Sequence, residues 1–365
     1  MFEKFLIKIR KMIFQNLFKM ENQSIFSFGS LIPHNVFVIS LTNRCNFNCP
    51  HCFRRYTDRK NINIIEDIPI SLFETILKEG RLVNFKTVSL SGGEPILHPE
   101  FEDLMGLLTN YGYNFNITTN GWFSDQYYPI LKKYKKNLEL VFLSLDGATA
   151  DVHDLVRGKP GSFLRVIEAI KIFKKNNIPI VVSAVFSKQN YHQFKDMVDI
   201  CLKLGIRGIK CGAMLSPNES DVLTLNNREK IKLIREIVDI KNRLGGSFQI
   251  KANASLLEGG SFLEDLPGYK KIIDFCGILG HEVLYIDQKG GVMPCCDIYR
   301  ECENRPTIQK NGFEECLKIN MDIINEIKKQ RLCDLLNESD EVYKTCSYCS
   351  KYFGKYLDKI CKKKD

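Results

Sequence analysis

Residues 41–55 read LTNRCNFNCPHCFRR and place Cys45, Cys49 and Cys52 within eight positions. The spacing is C-x3-C-x2-C, and His51 lies inside the second gap. A structural zinc site needs four Cys or His ligands, and a four-iron cluster takes one thiolate on each iron. The three thiolates are therefore one ligand short of a four-iron cluster, and the missing ligand is either elsewhere in the chain or absent.

The composition bounds the class of protein. The chain has 365 residues, of which 44% are hydrophobic and 26% charged, as in a globular protein with one large and one smaller domain. The net charge of +9 indicates a lysine-rich surface and does not single out nucleic acid as a partner. Fourteen cysteines without a recognisable signal peptide favour metal ligands in a reducing compartment over disulfides, so we expect a cytoplasmic location.

The first twenty residues, MFEKFLIKIRKMIFQNLFKM, combine helical apolar spacing with interspersed Lys and Arg. We expect an amphipathic N-terminal helix within residues 1–30 that docks on the body of the protein. Contact of residues 1–20 with a membrane surface is the alternative. No run of 18 apolar residues predicts a membrane-spanning helix.

Short apolar segments alternate with helical ones along most of the chain, which predicts βα units and a parallel sheet. We expect an α/β fold: a partial (β/α)6 parallel barrel over residues 31–230, a linker with the last barrel elements over 231–260, and a small cysteine-rich α+β extension over 261–365. Ser71 and Glu74 have capping-box spacing, and Gly80 is placed to end the same helix. The predicted strands lie within 36–41, 87–95, 114–121, 138–147, 178–187 and 205–213, and the predicted helices span 71–80, 99–111, 162–176, 191–204 and 228–243.

Polar loops follow the first four predicted strands. They carry the cysteines, the turn Gly92-Gly93-Glu94-Pro95, Asn120 and Asp146. Because the carboxyl ends of parallel strands share one edge, these loops are expected on a single rim, where α/β barrels keep their sites.

A C-x3-C-x2-C loop after the first strand and a Gly92-Gly93-Glu94-Pro95 turn after the second resemble the radical S-adenosylmethionine (SAM) superfamily. The resemblance covers the chain from about residue 34 onward. It implies that Cys45, Cys49 and Cys52 hold a [4Fe–4S] cluster whose fourth iron is chelated by SAM, so that the missing ligand is the cofactor. A zinc ion that takes His51 as its fourth ligand is the alternative; in the superfamily this position packs near the adenine.

The resemblance also implies which residues contact SAM. It assigns the methionine amino group to the turn of Gly92, Gly93 and Glu94, where bare backbone permits close approach. It assigns the ribose to Ser144 and Asp146. Arg157 and Arg165 are candidates to pair with the SAM carboxylate, and each is alternatively a solvated surface charge.

The C-terminal cysteines resemble the twitch and SPASM extensions of this superfamily. That resemblance implies one auxiliary [4Fe–4S] cluster closed by Cys276, Cys295, Cys346 and Cys349. The full SPASM pattern, which would hold two, is not met, since only Cys361 follows Cys349. An open-site cluster on Cys346, Cys349 and Cys361, similar to that of molybdopterin-precursor cyclases, is the alternative.

The remaining cysteines lack a motif. The stretch EVLYIDQKGGVMPCC (282–296) predicts a β-hairpin with a glycine turn. Cys201 is expected in the core of a helix, and Cys211, at the end of a barrel strand, is a candidate catalytic thiol facing the cavity. Ordinary thiols, or ligands of a second auxiliary cluster, are expected at Cys296, Cys302, Cys316 and Cys333.

The resemblance implies reductive cleavage of SAM to a 5′-deoxyadenosyl radical, which abstracts hydrogen from a substrate. Net oxidation or modification of a small molecule is the first interpretation, because the pattern of a single auxiliary cluster resembles the small-molecule dehydrogenases of the superfamily. The 35 residues before the first strand are also too few for a peptide-recognition domain of about 80–90 residues, which disfavours a maturase that depends on a leader peptide. A maturase acting on a peptide or protein side chain is the alternative, and a non-catalytic zinc or iron–sulfur protein is the second. A reducing donor such as flavodoxin or ferredoxin would supply the electron.

Overall fold

The computed structural model of the protein describes residues 36–52, 65–82, 85–215, 222–257, 283–293, 295 and 306–336. The predicted N-terminal helix lies outside these residues. So do six cysteines: Cys276, Cys296, Cys302, Cys346, Cys349 and Cys361.

The described strands form one sheet with the spatial order β7-β6-β5-β4-β3-β2-β1-β8-β9. Every neighbouring pair is parallel except β8 and β9. This confirms the predicted α/β fold with a partial parallel barrel. The strands are β1 Val36–Ser40, β2 Thr87–Ser91, β3 Asn114–Thr119, β4 Leu138–Ser144, β5 Ile180–Phe186, β6 Gly208–Ala213, β7 Gln249–Ala252, β8 Val283–Ile286 and β9 Val292–Met293.

Helices connect the consecutive parallel strands from β1 to β7, because parallel neighbours need a crossover connection. The five predicted helices are present, and two further helices, over Ser124–Lys133 and Ala150–Arg157, follow β3 and β4. No helix in the described part of the chain is both long and apolar enough to cross a membrane. The helices are α1 Ile70–Leu82, α2 Phe101–Asn110, α3 Ser124–Lys133, α4 Ala150–Arg157, α5 Ser162–Lys175, α6 Phe194–Lys203, α7 Asn227–Leu244, α8 Ile308–Asn311 and α9 Phe313–Leu336.

The sheet presents different residues on its two faces, since successive strand side chains alternate. Val88 and Leu90 of β2 belong to the large core under the helices. Phe142 of β4 packs with Leu140 and Val181 in a separate small cluster on the opposite face. The inner face of the barrel is therefore lined by a different set of side chains.

The first helix differs from its predicted ends. Ser71 and Gly80 were expected to mark them, but α1 begins at Ile70 and continues to Leu82. A Cβ atom on Gly80 would lie 2.2 Å from the Phe37 ring. Gly80 is therefore required for contact between α1 and β1, and it does not end the helix.

The predicted hairpin of the C-terminal region is present as β8 and β9. In addition, β8 pairs in parallel with β1, so it extends the barrel sheet on the side opposite β2. The ring of Phe313 in α9 contacts Phe37 edge-on at 5.7 Å between centroids. Described residues of the cysteine-rich region are thus packed on the first barrel strand; its division from the barrel at residue 261 stays a prediction.

Candidate cofactor site at the carboxyl ends of the strands

The predicted loops do share one rim. The cysteine loop (residues 41–52) follows β1, and the Gly92–Glu94 turn follows β2. Asn120 follows β3, and Asp146 lies just beyond β4. Because these four strands are parallel neighbours, the loops meet at the carboxyl edge of the sheet.

The cysteine loop and the Gly92–Glu94 turn form one backbone unit. The Gly93 amide donates to the Thr42 carbonyl at 2.7 Å, and the Glu94 amide donates to the Arg44 carbonyl at 2.7 Å. Gly92 has φ of +126°, and a Cβ atom there would lie 2.5 Å from the Thr42 carbonyl oxygen. Only glycine fits this approach, so Gly92 has a steric role in the turn that is independent of any ligand.

An ion pair braces the start of the cysteine loop. The Arg44 guanidinium donates to both carboxylate oxygens of Asp67 at 2.8–3.0 Å, and the Thr42 hydroxyl donates to the same carboxylate at 2.5 Å. Burial alone would raise the pKa of Asp67, but these hydrogen bonds lower it overall. The loop therefore leaves β1 in a fixed direction.

Glu94 is buried and turned toward the protein. Its carboxylate accepts hydrogen bonds from the Thr119 hydroxyl at 2.7 Å, the Asn120 amide at 2.9 Å and the Tyr127 hydroxyl. Burial raises the pKa of Glu94, and the three hydrogen bonds oppose that rise. Glu94 thus ties the turn to β3 and α3, and its predicted contact with the SAM amino group stays a prediction.

Asp146 anchors the neighbouring loop. Its carboxylate accepts from the Val185 amide at 2.7 Å and from Arg157 Nη1 at 3.0 Å. His51 Nε2 lies 3.8 Å from the same carboxylate, and His51 Nδ1 donates to the Val156 carbonyl at 3.1 Å. Burial alone would raise the pKa of Asp146, but the charge of Arg157, and then of His51, lowers it overall. The ionised Asp146 therefore holds Arg157 in place.

Arg157 sets a positive charge beside the cysteines. Burial raises the pKa of the Cys49 thiol to about 12 and also raises that of Cys45, and in both cases Arg157 opposes the rise. The guanidinium carbon lies 5.5 Å from the centroid of the Phe47 ring. A cation here favours the thiolate, which is the form of cysteine that binds metal.

The donor set fits an iron–sulfur cluster better than a zinc ion. Both ring nitrogens of His51, the predicted alternative zinc ligand, face protein atoms of Val156 and Asp146. Within the described residues, no three His, Cys, Asp or Glu side chains converge on one ion position, as tetrahedral zinc requires. A cluster takes each thiolate on a different iron, so three separate thiols on one loop suit it.

Two buried donors near the loop have no hydrogen-bond partner among the described residues. They are Nδ2 of Asn46 and Nε of Arg157. The Asn46 side-chain oxygen accepts from Asn120 at 2.9 Å, which fixes the amide. Unpaired buried donors are rare in proteins and leave capacity for a bound acceptor such as a carboxylate. This supports the predicted pairing of Arg157 with the SAM carboxylate.

The structure does not bring every predicted residue to the rim. Arg165 lies on the exposed side of α5, where it pairs with Glu168 at 3.2 Å. Cys211 lies in the core under the helices, with Cys201 as a neighbour, and burial raises the pKa of its thiol. Its side chain therefore does not face the cavity, contrary to our expectation, and Cys201 is in the core as expected. Ser144 ends β4 at the rim.

The C-terminal cysteines can be placed only in part. Cys295, just beyond β9, is buried, and so is Cys316 in α9, where burial raises the pKa of the thiol to about 11. The other three predicted auxiliary ligands lie outside the described residues, and the side chain of Cys333 is likewise outside them.

Sequence reasoning missed Tyr127, Trp122 and His153. Tyr127 reaches Glu94 from α3, and Nδ1 of His153 accepts from the Asp146 amide at 3.1 Å. Trp122 contacts Phe47 edge-on at 5.7 Å between centroids. The only local signal was the polar Asn120-Gly121 pair after β3, which marks a rim loop but does not indicate its partners.

The sequence model of the Radical SAM superfamily matches residues 39–221, half of the 365-residue chain. The matched region runs from the end of β1 through β6 and includes the cysteine loop and the glycine turn. The chain therefore belongs to the radical SAM superfamily. It is an enzyme of that superfamily, with a [4Fe–4S] cluster and SAM as its cofactors. The predicted resemblance is confirmed.

The individual relatives compared below share less than 30% sequence identity with the chain. The chain is 27% identical over 266 residues to the AdoMet-dependent heme synthase of Methanosarcina barkeri. The aligned region covers 70% of this chain and 74% of the heme synthase. It is 26% identical over 168 residues to the subtilosin biosynthesis protein AlbA of Bacillus subtilis. That aligned region covers 46% of this chain and 36% of AlbA. The structure of anSMEcpe with bound AdoMet and Cp18Cys peptide shares the fold, at a TM-score of 0.59, 18% identity, and coverage of 90% of this chain and 99% of that one.

Proposed function

We propose that Cys45, Cys49 and Cys52 are the cluster ligands and that SAM binds over the rim between the Gly92–Glu94 turn and Arg157. The observation that carries this is the backbone unit of the turn and the cysteine loop, with a buried cation beside the thiols. When bound and reduced by one electron, the cluster and SAM supply a 5′-deoxyadenosyl radical that removes a hydrogen atom from the substrate.

The residues of the chain have supporting roles in this proposal. Arg157 balances the negative charge of the thiolates and offers Nε to the SAM carboxylate. Asp146 orients Arg157 through a buried ion pair of 3.0 Å. The hydrogen bond between Glu94 and Tyr127 fixes the position of the Gly92–Glu94 turn relative to β2 and β3.

Replacing one cysteine tests the assignment. The Cys49→Ala protein leaves one iron without its thiolate, so we expect production of 5′-deoxyadenosine from SAM and dithionite to fall at least about 100-fold, together with a loss of bound iron. Cys201→Ala, in the core of α6, is the control and should keep both. Formation of 5′-deoxyadenosine at the parent's rate by the Cys49 variant would show that the ligands are elsewhere.

We further propose a peptide side chain as the substrate. AlbA is described as a bacteriocin biosynthesis protein, and anSMEcpe has been solved with a bound peptide. This replaces the small-molecule interpretation as the first choice.

Modification of a small molecule is the second candidate, because the heme synthase matches the larger share of the chain. Incubation of the reconstituted protein with SAM and either a peptide fraction or a small-molecule fraction of cell extract separates the two. The fraction that raises 5′-deoxyadenosine above the substrate-free rate contains the substrate. Stimulation by the small-molecule fraction alone would overturn the peptide proposal.

The auxiliary cluster and the cellular setting are part of the same proposal. Cys295 is buried and follows β9, the strand that pairs with β8. A cluster held by Cys276, Cys295, Cys346 and Cys349 would therefore lie against the barrel. A cytoplasmic location suits free thiols and a reducible cluster.

A further inference from the structure

A basic surface lies at the amino edge of the sheet, opposite the cysteine loop. Three segments, residues 132–137, 174–179 and 203–207, each lead from the end of a helix to the start of β4, β5 or β6. We name them together the amino-edge surface. They carry seven lysines and one arginine but no Asp or Glu, and all eight cations are exposed. Like charges repel one another and disfavour the folded state, so a patch of this kind favours an anionic partner.

Contacts between the segments make them one continuous surface. The strands that they precede are parallel neighbours, so the segments lie side by side. Lys135 Nζ donates to the Asn176 carbonyl at 3.4 Å, and Lys174 Nζ donates to the Gly205 carbonyl at 2.6 Å. These hydrogen bonds link the first segment to the second and the second to the third. The three segments therefore present their charges as one unit.

Carboxylates on the neighbouring elements do not cancel this charge. Glu102 of α2 pairs with Lys133 at 2.6 Å, Glu139 lies near the start of β4, and Asp199 of α6 already pairs with a lysine of its own helix. If all three were set against the eight cations, five positive charges would remain. The end of α7, residues 239–244, adds two cations and one acid. The amino-edge surface is therefore positive after these acidic groups have been counted.

Apolar features lie at the same edge. Val36 begins β1, which is parallel to its neighbours, so the chain before it joins the protein at this edge. The sequence of residues 1–20 predicts an amphipathic helix with Lys and Arg between its apolar positions. Among the described residues, Leu82 at the end of α1 is 77% exposed, and Leu202 near the end of α6 is 40% exposed. Apolar contact and positive charge at one edge are the two contributions that hold a protein at an anionic bilayer.

We propose that the amino-edge surface binds the anionic headgroups of a lipid bilayer. Seven of its eight cations are lysines, which act as point charges on a diffuse array of headgroups. Arginine, by contrast, is the residue that binds phosphates and bases of nucleic acid through two parallel hydrogen bonds. Attachment at this edge leaves the cofactor rim free, because the seven residues of β4 place the rim roughly 20 Å away. The enzyme then acts beside the membrane with its cysteine loop open to the aqueous phase.

Vesicle binding is the first test. The full-length protein should sediment with vesicles of about one-third phosphatidylglycerol in phosphatidylcholine, but not with pure phosphatidylcholine. Binding should weaken as the salt concentration rises from about 0.1 M to about 1 M, where the Debye length is about 3 Å. Equal binding to both kinds of vesicle would show that apolar insertion alone holds the protein, and no binding to either would show that the surface has another role. Either result would overturn the proposal.

Charge reversal locates the contact. Lys136→Glu combined with Lys175→Glu should raise the lipid concentration for half-maximal binding at least about tenfold, because both side chains are exposed members of the amino-edge surface. Lys136→Gln combined with Lys175→Gln should give a smaller increase. Thermal unfolding at the parent's temperature checks that both pairs are folded. Unchanged vesicle binding in the two pairs would show that the contact lies elsewhere, and the proposal would be wrong.

A matched control separates position from net charge. Lys188→Glu combined with Arg228→Glu makes the same change in net charge at the opposite edge, just after β5 and at the start of α7. Because charges roughly 20 Å from the bilayer are screened, this pair should bind anionic vesicles as the parent does. An equal loss of binding in the two charge-reversed pairs would mean that only net charge matters, which contradicts the proposal.

Nucleic acid is the competing partner, since positive charge also attracts its phosphates. The parent is therefore mixed with short fluorescently labelled duplexes of DNA and RNA, and anionic vesicles are added in excess. We expect the vesicles to displace any bound duplex. A duplex that stays bound to the parent, and is released by the Lys136→Glu and Lys175→Glu pair, would assign the amino-edge surface to nucleic acid and overturn the bilayer proposal.

Discussion

His153 is a buried base that the fold keeps neutral. It is fully buried, its Nδ1 accepts from the Asp146 amide, and its ring contacts Phe163 edge-on. Burial lowers the pKa of His153 from 6.5 to about 4, although the Asp146 charge opposes that change. Between these two pKa values, His153 is therefore neutral in the folded protein and protonated in the unfolded chain.

Stability should consequently fall as the pH falls from 6.5 toward 4. The contribution of His153 is fully present above the unfolded pKa and is lost as the pH decreases through this window. We expect a loss of about 2 kcal/mol between pH 7.5 and 5, from about 1.4 kcal/mol per pKa unit. Urea unfolding of the anaerobic holoenzyme at both pH values measures it. The His153→Gln variant should lose about 2 kcal/mol less over the same interval, and equal losses would contradict the prediction.

At the scale of single residues, the sequence predicted positions better than contacts. The alternation of strands and loops was sufficient to put Glu94 and Asp146 on one rim. It could not show that Glu94 is held by Tyr127, or Asp146 by Val185, because these partners lie 33 and 39 residues further along the chain. Contacts over such separations depend on the sheet order, which local patterns do not encode.

The element whose sequence was misread is α1. Glycine inside a helix costs about 1 kcal/mol relative to alanine, which favours a helix end at Gly80. The helix nevertheless continues, because the missing Cβ allows the buried Phe37 ring and the Tyr113 hydroxyl to approach it. Packing between α1 and β1 therefore overrides the local preference.

Two glycine substitutions separate these effects. In Gly80→Ala, a Cβ atom would meet Phe37 at 2.2 Å, so overpacking of about 1–3 kcal/mol should exceed the gain in helix propensity and destabilise the protein. Gly106→Ala in α2 is the control, since its Cβ would lie at an ordinary 3.5 Å from Tyr134. It should be neutral or stabilising by up to about 1 kcal/mol. Thermal or urea unfolding measures both, and stabilisation by Gly80→Ala would refute this explanation.

At the scale of the whole molecule, the sequence predicted the six βα units but not how the sheet is extended. Strand β7 has four residues, which is too short for a clear pattern. The predicted hairpin includes β8, but its sequence does not indicate that β8 joins the barrel sheet. The parallel pairing of β8 with β1 also joins positions about 250 residues apart. This pairing brings the start of the cysteine-rich region beside the strand that precedes the cysteine loop.

That proximity bears on the proposed auxiliary cluster. A cluster near β8 and β9 could accept the electron that remains after hydrogen abstraction, or it could stabilise the fold as a structural metal does. Two four-iron clusters on cysteine thiolates require about eight irons per chain. We expect Cys346→Ser combined with Cys349→Ser to lower the count to about four.

The same double variant distinguishes an electronic role from a structural one. If the auxiliary cluster carries electrons, the variant should remain folded and cleave SAM with dithionite at the parent's rate, yet form no product from its substrate. Iron analysis, 5′-deoxyadenosine formation and product formation are measured on one preparation, with the parent and Cys201→Ala, a variant of a core thiol, as controls. Because β8 is part of the barrel sheet, a cluster that mainly stabilises the fold would disturb β1 when it is lost. Protease-sensitive protein that has also lost SAM cleavage would therefore exclude the electronic role.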